Sequence, residues 1–166
     1  MSDGPSRPAF TGLLVHHDQR FGFSVLVPDG WQRLALEGSD SGVFYAPDAA
    51  DALTGLAIDA TDLGVRVHAR DLQTLRRGFL KGLSTLAEAR IEREESEAVG
   101  DLLTLEALLT FSGGKRWVRL LYQGRTQLRL IAQAASVELL RTGSRCSLKR
   151  CARCASADGE GRIFRR

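Results

Sequence analysis

The chain of 166 residues has no apolar run approaching the roughly 18 residues that a membrane-spanning helix requires, so membrane insertion is not expected. Its opening, MSDGPSRPAF, lacks the basic stretch followed by an apolar stretch that marks a secretory signal, and a cytoplasmic location is expected. The sequence contains no G-x-S-x-G, P-loop or H-E-x-x-H pattern, and no nucleophile stands beside a base. Histidine is confined to His16, His17 and His68. His16 and His17 sit together at a strand end with only Asp18 for company, too few donors for a metal site, and they read as a surface pair. Neither catalysis nor a cofactor is expected.

Cysteine is equally scarce, and all of it lies in one place. Cys146, Cys151 and Cys154 fall at C-x4-C-x2-C within CSLKRCARC, the spacing that opens a plant-type iron–sulfur ligand set. Such a cluster needs four thiolates, and the chain has three. A zinc site would have to recruit a histidine, and none lies in this tail. The expectation is therefore no metal at these cysteines.

Charge is unevenly divided. From Arg141 to Arg166 there are eight Lys or Arg against two acids, which leaves 15 bases and 18 acids in residues 1–140. The sequence pI near 9.0 thus belongs to the tail, and the body is mildly acidic. With Phe164 as its one aromatic, the tail has little on which nucleic-acid bases could stack, so nucleic acid is not an expected partner.

What is present is a pattern of strands around one helix. Residues 1–10 are polar and Pro-containing and are expected to be flexible. GFSVLVP (22–28) alternates Phe23, Val25 and Val27 on one face, and Pro28, Asp29 and Gly30 signal a turn. Strands follow at 31–37, where Gln32 and Arg33 disturb the phase set by Trp31, Leu34 and Leu36, and then at 42–47 and 53–60. From Asp71, which reads as the N-cap, Leu72, Leu75, Phe79, Leu83 and Leu86 recur at steps of three and four, the stripe of an amphipathic helix. Gly78 and Gly82 fall within it and are expected to form a smooth strip for close packing. Segments 89–97, 101–111, 115–123 and 126–135 are joined by hairpin-length turns at Ser112-Gly113-Gly114 and Gly124-Arg125, an antiparallel meander with its charged first member at the edge. Arg116, Arg119, Arg125 and Arg129 read as a solvated face balanced by Glu92, Glu94 and Glu106, or else as a cationic stripe. Asp48, Asp51, Asp59 and Asp62 are acids around one strand without the spacing of an EF-hand loop. The expected core includes Phe23, Val25, Trp31, Leu75, Phe79, Leu83, Trp117 and Leu128.

FGFSVLVPDGW (21–31), an aromatic-Gly-Phe strand ending in Pro-x-Gly-Trp, resembles the opening of proteins with the PsbP-like fold. That superfamily includes an extrinsic photosystem II subunit, a Ran-binding nuclear import factor and many bacterial proteins. Element order is also similar over roughly residues 11–140. The resemblance implies an α+β fold, an α/β/α sandwich around an antiparallel sheet, and a non-catalytic role as an interaction or assembly protein with a protein partner. The alternative is a module binding a small molecule or metal ion between sheet and helix. The resemblance also implies a closing helix after Ser136-Val137-Glu138, where the composition shifts instead to Arg, Cys, Ser, Ala and Gly. Back-translation of residues 141–159, read from the third base, permits DWLPMFSEAMRTLRFGGW, similar to the endings of bacterial relatives. The expectation is a frame-shifted, disordered basic tail over 141–166 following a PsbP-like domain over 11–140.

Overall fold

The computed structural model describes residues 12–134 apart from 37, 40 and 49–52. The expectations for residues 1–10, Asp51, the closing helix, the three cysteines and the tail over 141–166 lie outside the described residues. Within them, the chain runs β1 (Leu13–Asp18), β2 (Phe23–Pro28), β3 (Gln32–Ala35), β4 (Val43–Ala46), β5 (Gly55–Asp62), a 3-10 turn (Ala69–Asp71), α1 (Leu72–Ser84), β6 (Arg90–Val99), β7 (Leu102–Phe111), β8 (Gly114–Gln123) and β9 (Thr126–Ala134). Strands β3 to β9 form one antiparallel sheet in the order β3-β4-β5-β9-β8-β7-β6, and β1 and β2 form a separate antiparallel hairpin. Among the described residues this is the expected α+β class: a seven-stranded antiparallel sheet with one α-helix.

The meander forms because its strands alternate apolar side chains and its turns suit hairpins. Gly124, at φ 60, supplies the left-handed backbone of the tight β8–β9 connection, which pairs Gln123 with Thr126. Alternation then divides the buried residues between two faces. Leu103, Leu105, Ala107 and Leu109 of β7 join Val118 and Tyr122 of β8 beneath Phe79 and Leu83 of α1. On the opposite face, Trp117, Leu121, Leu128, Leu130, Ala132, Leu56 and Ile58 receive Val25 and Val27 of the hairpin. The sheet therefore carries a helix on one side and a β-hairpin on the other.

Val25, Phe79, Leu83, Trp117 and Leu128 are buried as expected. Phe23, Trp31 and Leu75 are half-buried at the margins of the two cores. Gly55 permits one close approach: a methyl group there would collide with the Phe44 ring. Gly78 and Gly82 do not form a packing strip; both are exposed, and a methyl group added to either would meet nothing within 4 Å. They lie off the Phe79–Leu83 stripe, on the solvent side of the helix. Asp71 also differs from expectation. Its side chain makes no hydrogen bond capping α1. Its Oδ2 instead accepts the His68 N–H at 2.9 Å, closing the turn that leads into the helix. The helix is further tied to the sheet by Arg76, whose Nε and Nη2 donate to the two Glu94 carboxylate oxygens at 2.8 and 2.7 Å. That bidentate pair holds the Glu94 carboxyl below its ordinary range.

The edges of the sheets differ in ways that bear on function. Strand β6 borders the main sheet with RIEREESEAV, dense in charge, and β3 borders it with only four residues. Charge and shortness are both ordinary means of discouraging edge pairing. Among the described residues, strand β1 pairs with β2 alone, and its first half, Leu13-Leu14-Val15, is apolar and uncharged.

Candidate functional site

The β1–β2 turn and the β3–β4 edge enclose an open crevice of about 530 Å³, lined by Asp18, Arg20, Arg33, Leu34, Ala35, Ser41, Gly42 and Val43. The turn is fixed by Asp18: its Oδ1 accepts the Phe21 N–H at 2.8 Å, and its backbone carbonyl accepts the Gly22 N–H at 3.0 Å. An Asp at this position closes the turn locally, because its short side chain reaches the amides just beyond it. Arg20 lies in the turn with its guanidinium 5.1 Å from the centre of the Phe21 ring. Arg33 stands opposite Tyr45 in the β3–β4 register.

The far wall is held by a serine network. Ser39 donates its hydroxyl to Asp59 Oδ1 at 2.5 Å and accepts the Gly42 N–H at 2.8 Å. Ser41 donates to the Ala60 carbonyl at 2.9 Å. Both serines thereby bind the segment before β4 to β5.

His16 connects the hairpin to the main sheet. Its Nδ1 lies 2.9 Å from the Tyr45 hydroxyl, and its ring meets Tyr45 edge-on and lies 6.0 Å from Phe23. Burial pushes the His16 pKa down, and the Arg33 charge pushes it further; Asp18 opposes the shift and His17 adds to it. Burial also raises the Tyr45 hydroxyl, so the pair is held neutral. Below the ordinary histidine value of about 6.5 the unfolded chain takes up a proton that folded His16 resists, so stability falls as pH drops from that value toward the folded pKa. An NMR titration should place the His16 midpoint below that of a model peptide. His16→Phe should flatten the loss of stability below about pH 6.5, and an unaltered slope would contradict the assignment.

The other residues singled out in the sequence fall in separate places. His17 turns from His16 to the Ser24 hydroxyl, 2.9 Å from its Nδ1, and His68 is exposed beside α1. The four arginines do not make a stripe. Arg119 lies on the hairpin side of the sheet, Arg116 and Arg129 lie on the helix side, and Arg125 is in a turn. Arg119 binds Glu106, Arg129 binds Asp59, Arg125 binds Asp62, and Arg116 donates to the Gln133 amide oxygen at 2.6 Å. Glu106 does balance Arg119 across the sheet as expected, whereas Glu92 pairs with Lys115 and Glu94 with Arg76. Asp59 and Asp62 are thus held by different arginines rather than aimed at a shared ion. The Gly64 N–H, followed by Arg125, holds the Asp62 carboxyl below its ordinary value. Among the described residues, no three His, Cys, Asp or Glu side chains gather in a metal-ligand cluster.

Sequence patterning missed the crevice because Arg20 and Arg33 belong to different elements, 13 positions apart. One signal was present: Arg33 interrupts the apolar alternation of its strand, and a charge that breaks phase marks a side chain with somewhere else to go.

No protein-family profile matches the sequence, and no curated protein matches it. Among solved structures, the fold is similar to the solution structure of cyanobacterial PsbP (CyanoP) from Synechocystis sp. PCC 6803, with a TM-score of 0.55 and 14% identity. The alignment covers 90% of this chain and 98% of that one. At this identity the likeness establishes the architecture: the chain has the PsbP-like fold.

Proposed function

We propose that this chain is a non-catalytic interaction or assembly module, and that it engages a protein partner through the outer edge of β1. One observation supports the reading above others. Of the strand edges described above, β6 is guarded by charge and β3 by brevity, while β1 presents Leu14 at 54% exposure and Val15 at 64% beside backbone groups that no strand among the described residues pairs. An extended segment of a partner can add to such an edge, with main-chain hydrogen bonds supplying affinity and the apolar side chains supplying contact area. The PsbP-like architecture is compatible with this role, although a fold does not determine a function.

The test is a paired capture experiment with the full chain from its native host. Leu14→Asp and Val15→Asp change exposed side chains, so the fold should persist, as far-ultraviolet circular dichroism would verify. Covering either parent side chain contributes about 1.5–3 kcal/mol, so a stoichiometric partner should be recovered at least about tenfold less by the double variant. Equal recovery by parent and variant would remove β1 as the interface.

A further inference from the structure

We propose that the crevice between the β1–β2 turn and the β3–β4 edge binds a small organic oxyanion, its carboxylate or phosphate group held jointly by Arg20 and Arg33. The distribution of partners across the molecule carries the inference. Arg76, Arg93, Lys115, Arg119, Arg125 and Arg129 each have a carboxylate within ion-pair distance. Arg116 has the Gln133 amide oxygen. Among the described residues, Arg20 and Arg33 have neither an ion pair nor a hydrogen bond through their guanidinium groups, and the contact of Arg20 is the Phe21 ring. Arg66 and Arg70 are exposed, as Arg20 and Arg33 are, and have no ion pair among the described residues, but neither lines this crevice. These two line one concavity.

The surroundings suit such a ligand. Among the described lining residues, two guanidiniums face a single carboxylate, Asp18, which already accepts a backbone N–H. Guanidinium forks match the geometry of carboxylate and phosphate oxygens. Leu34, Ala35 and Val43 offer apolar lining for a carbon body, and about 530 Å³ falls within the range of small-molecule sites, about 300–1,000 Å³. The Ser39 and Ser41 hydrogen bonds hold one wall in place before any ligand arrives. The site lies on the hairpin side of the sheet, away from the sheet–helix interface, and the inference is independent of the β1 edge.

His16 supplies an internal reporter. Its ring is subject to the charges of Arg33, Asp18 and His17 and touches Tyr45, so an anion that offsets Arg33 should raise the His16 titration midpoint. The experiment titrates the full chain separately with citrate and with inorganic phosphate, against sodium chloride at matched ionic strength. It follows the amide resonances of Ser41, Gly42 and Val43 and the His16 ring. Saturable shifts with citrate alone would assign a carboxylate ligand, and with phosphate a phosphate-bearing one. Arg20→Gln and Arg33→Gln should each weaken binding about tenfold or more, since each removes charge-assisted hydrogen bonds, while Arg70→Gln should leave it unchanged. Shifts no larger than those from chloride, or binding retained in Arg33→Gln, would overturn the proposal.

Discussion

Replacing Phe79 with Ala should lower the free energy of unfolding by about 3–5 kcal/mol, measured by chemical denaturation. Phe79 is 8% exposed and lies with Leu83 over Leu103, Leu105, Ala107 and Leu109 of β7 and Val118 and Tyr122 of β8. Truncation removes the transfer energy of an aromatic ring and leaves a cavity. The sheet below cannot rise to fill it, because each strand is fixed by ladders on both sides. The helix has few other attachments: Leu72, Leu75 and Leu86 are half-buried, and the Arg76–Glu94 pair is at the surface. Gly78 and Gly82 lower the intrinsic helix preference further, by about 1 kcal/mol each relative to Ala. Docking therefore holds the helix, and docking rests on Phe79 and Leu83. A loss below about 1 kcal/mol would show that the helix does not pack on this face. Gly78→Ala and Gly82→Ala, whose new methyl groups would meet only solvent, provide the opposite control and should raise stability.

The meander was legible because every signal agreed. Strands β7, β8 and β9 combine apolar alternation with glycine turns of hairpin length, and the helical stripe from Leu72 to Leu86 has no competing period. The hairpin strand β1 was less legible. LLVHHD places three large apolar residues in succession, so it has no two-residue period, and its apolar side chains are exposed rather than buried. The arginine stripe failed on parity. Arg116 and Arg119 are three residues apart on one strand, so they must point to opposite faces. The glycine strip failed because a spacing of four specifies one face of a helix without saying which face meets the sheet. The crevice depends on the β3–β4–β5 order and on where the hairpin docks, and contacts such as His16 to Tyr45 span 29 residues. Nothing local in the sequence encodes such a pairing.

On the hairpin side of the sheet, breaking one ion pair should cost far more than removing it whole. Glu106 has a side chain only 11% exposed and accepts from Arg119 Nε at 2.8 Å and from Arg93 Nη2 at 3.4 Å. The Arg119 side chain is 28% exposed, and its guanidinium lies 4.8 Å from the centre of the buried Trp117 ring. Arg119→Leu would strip Glu106 of its nearer partner and leave a mostly buried carboxylate to the longer contact with Arg93, itself 60% exposed. Removing one member of a fully buried pair costs about 3–5 kcal/mol; solvent access to Arg119 and the residual Arg93 contact reduce the expected loss to about 2–3 kcal/mol. The double variant Arg119→Leu/Glu106→Leu removes the stranded charge and places two apolar side chains opposite each other in the β7–β8 register. Its stability should return to within about 1 kcal/mol of the parent, because a pair in this setting loses in desolvation much of what it gains in attraction. A double-mutant cycle by denaturation reads the difference directly. If the two losses simply add, Glu106 and Arg119 are not coupled, and the pair does not organise this face of the sheet.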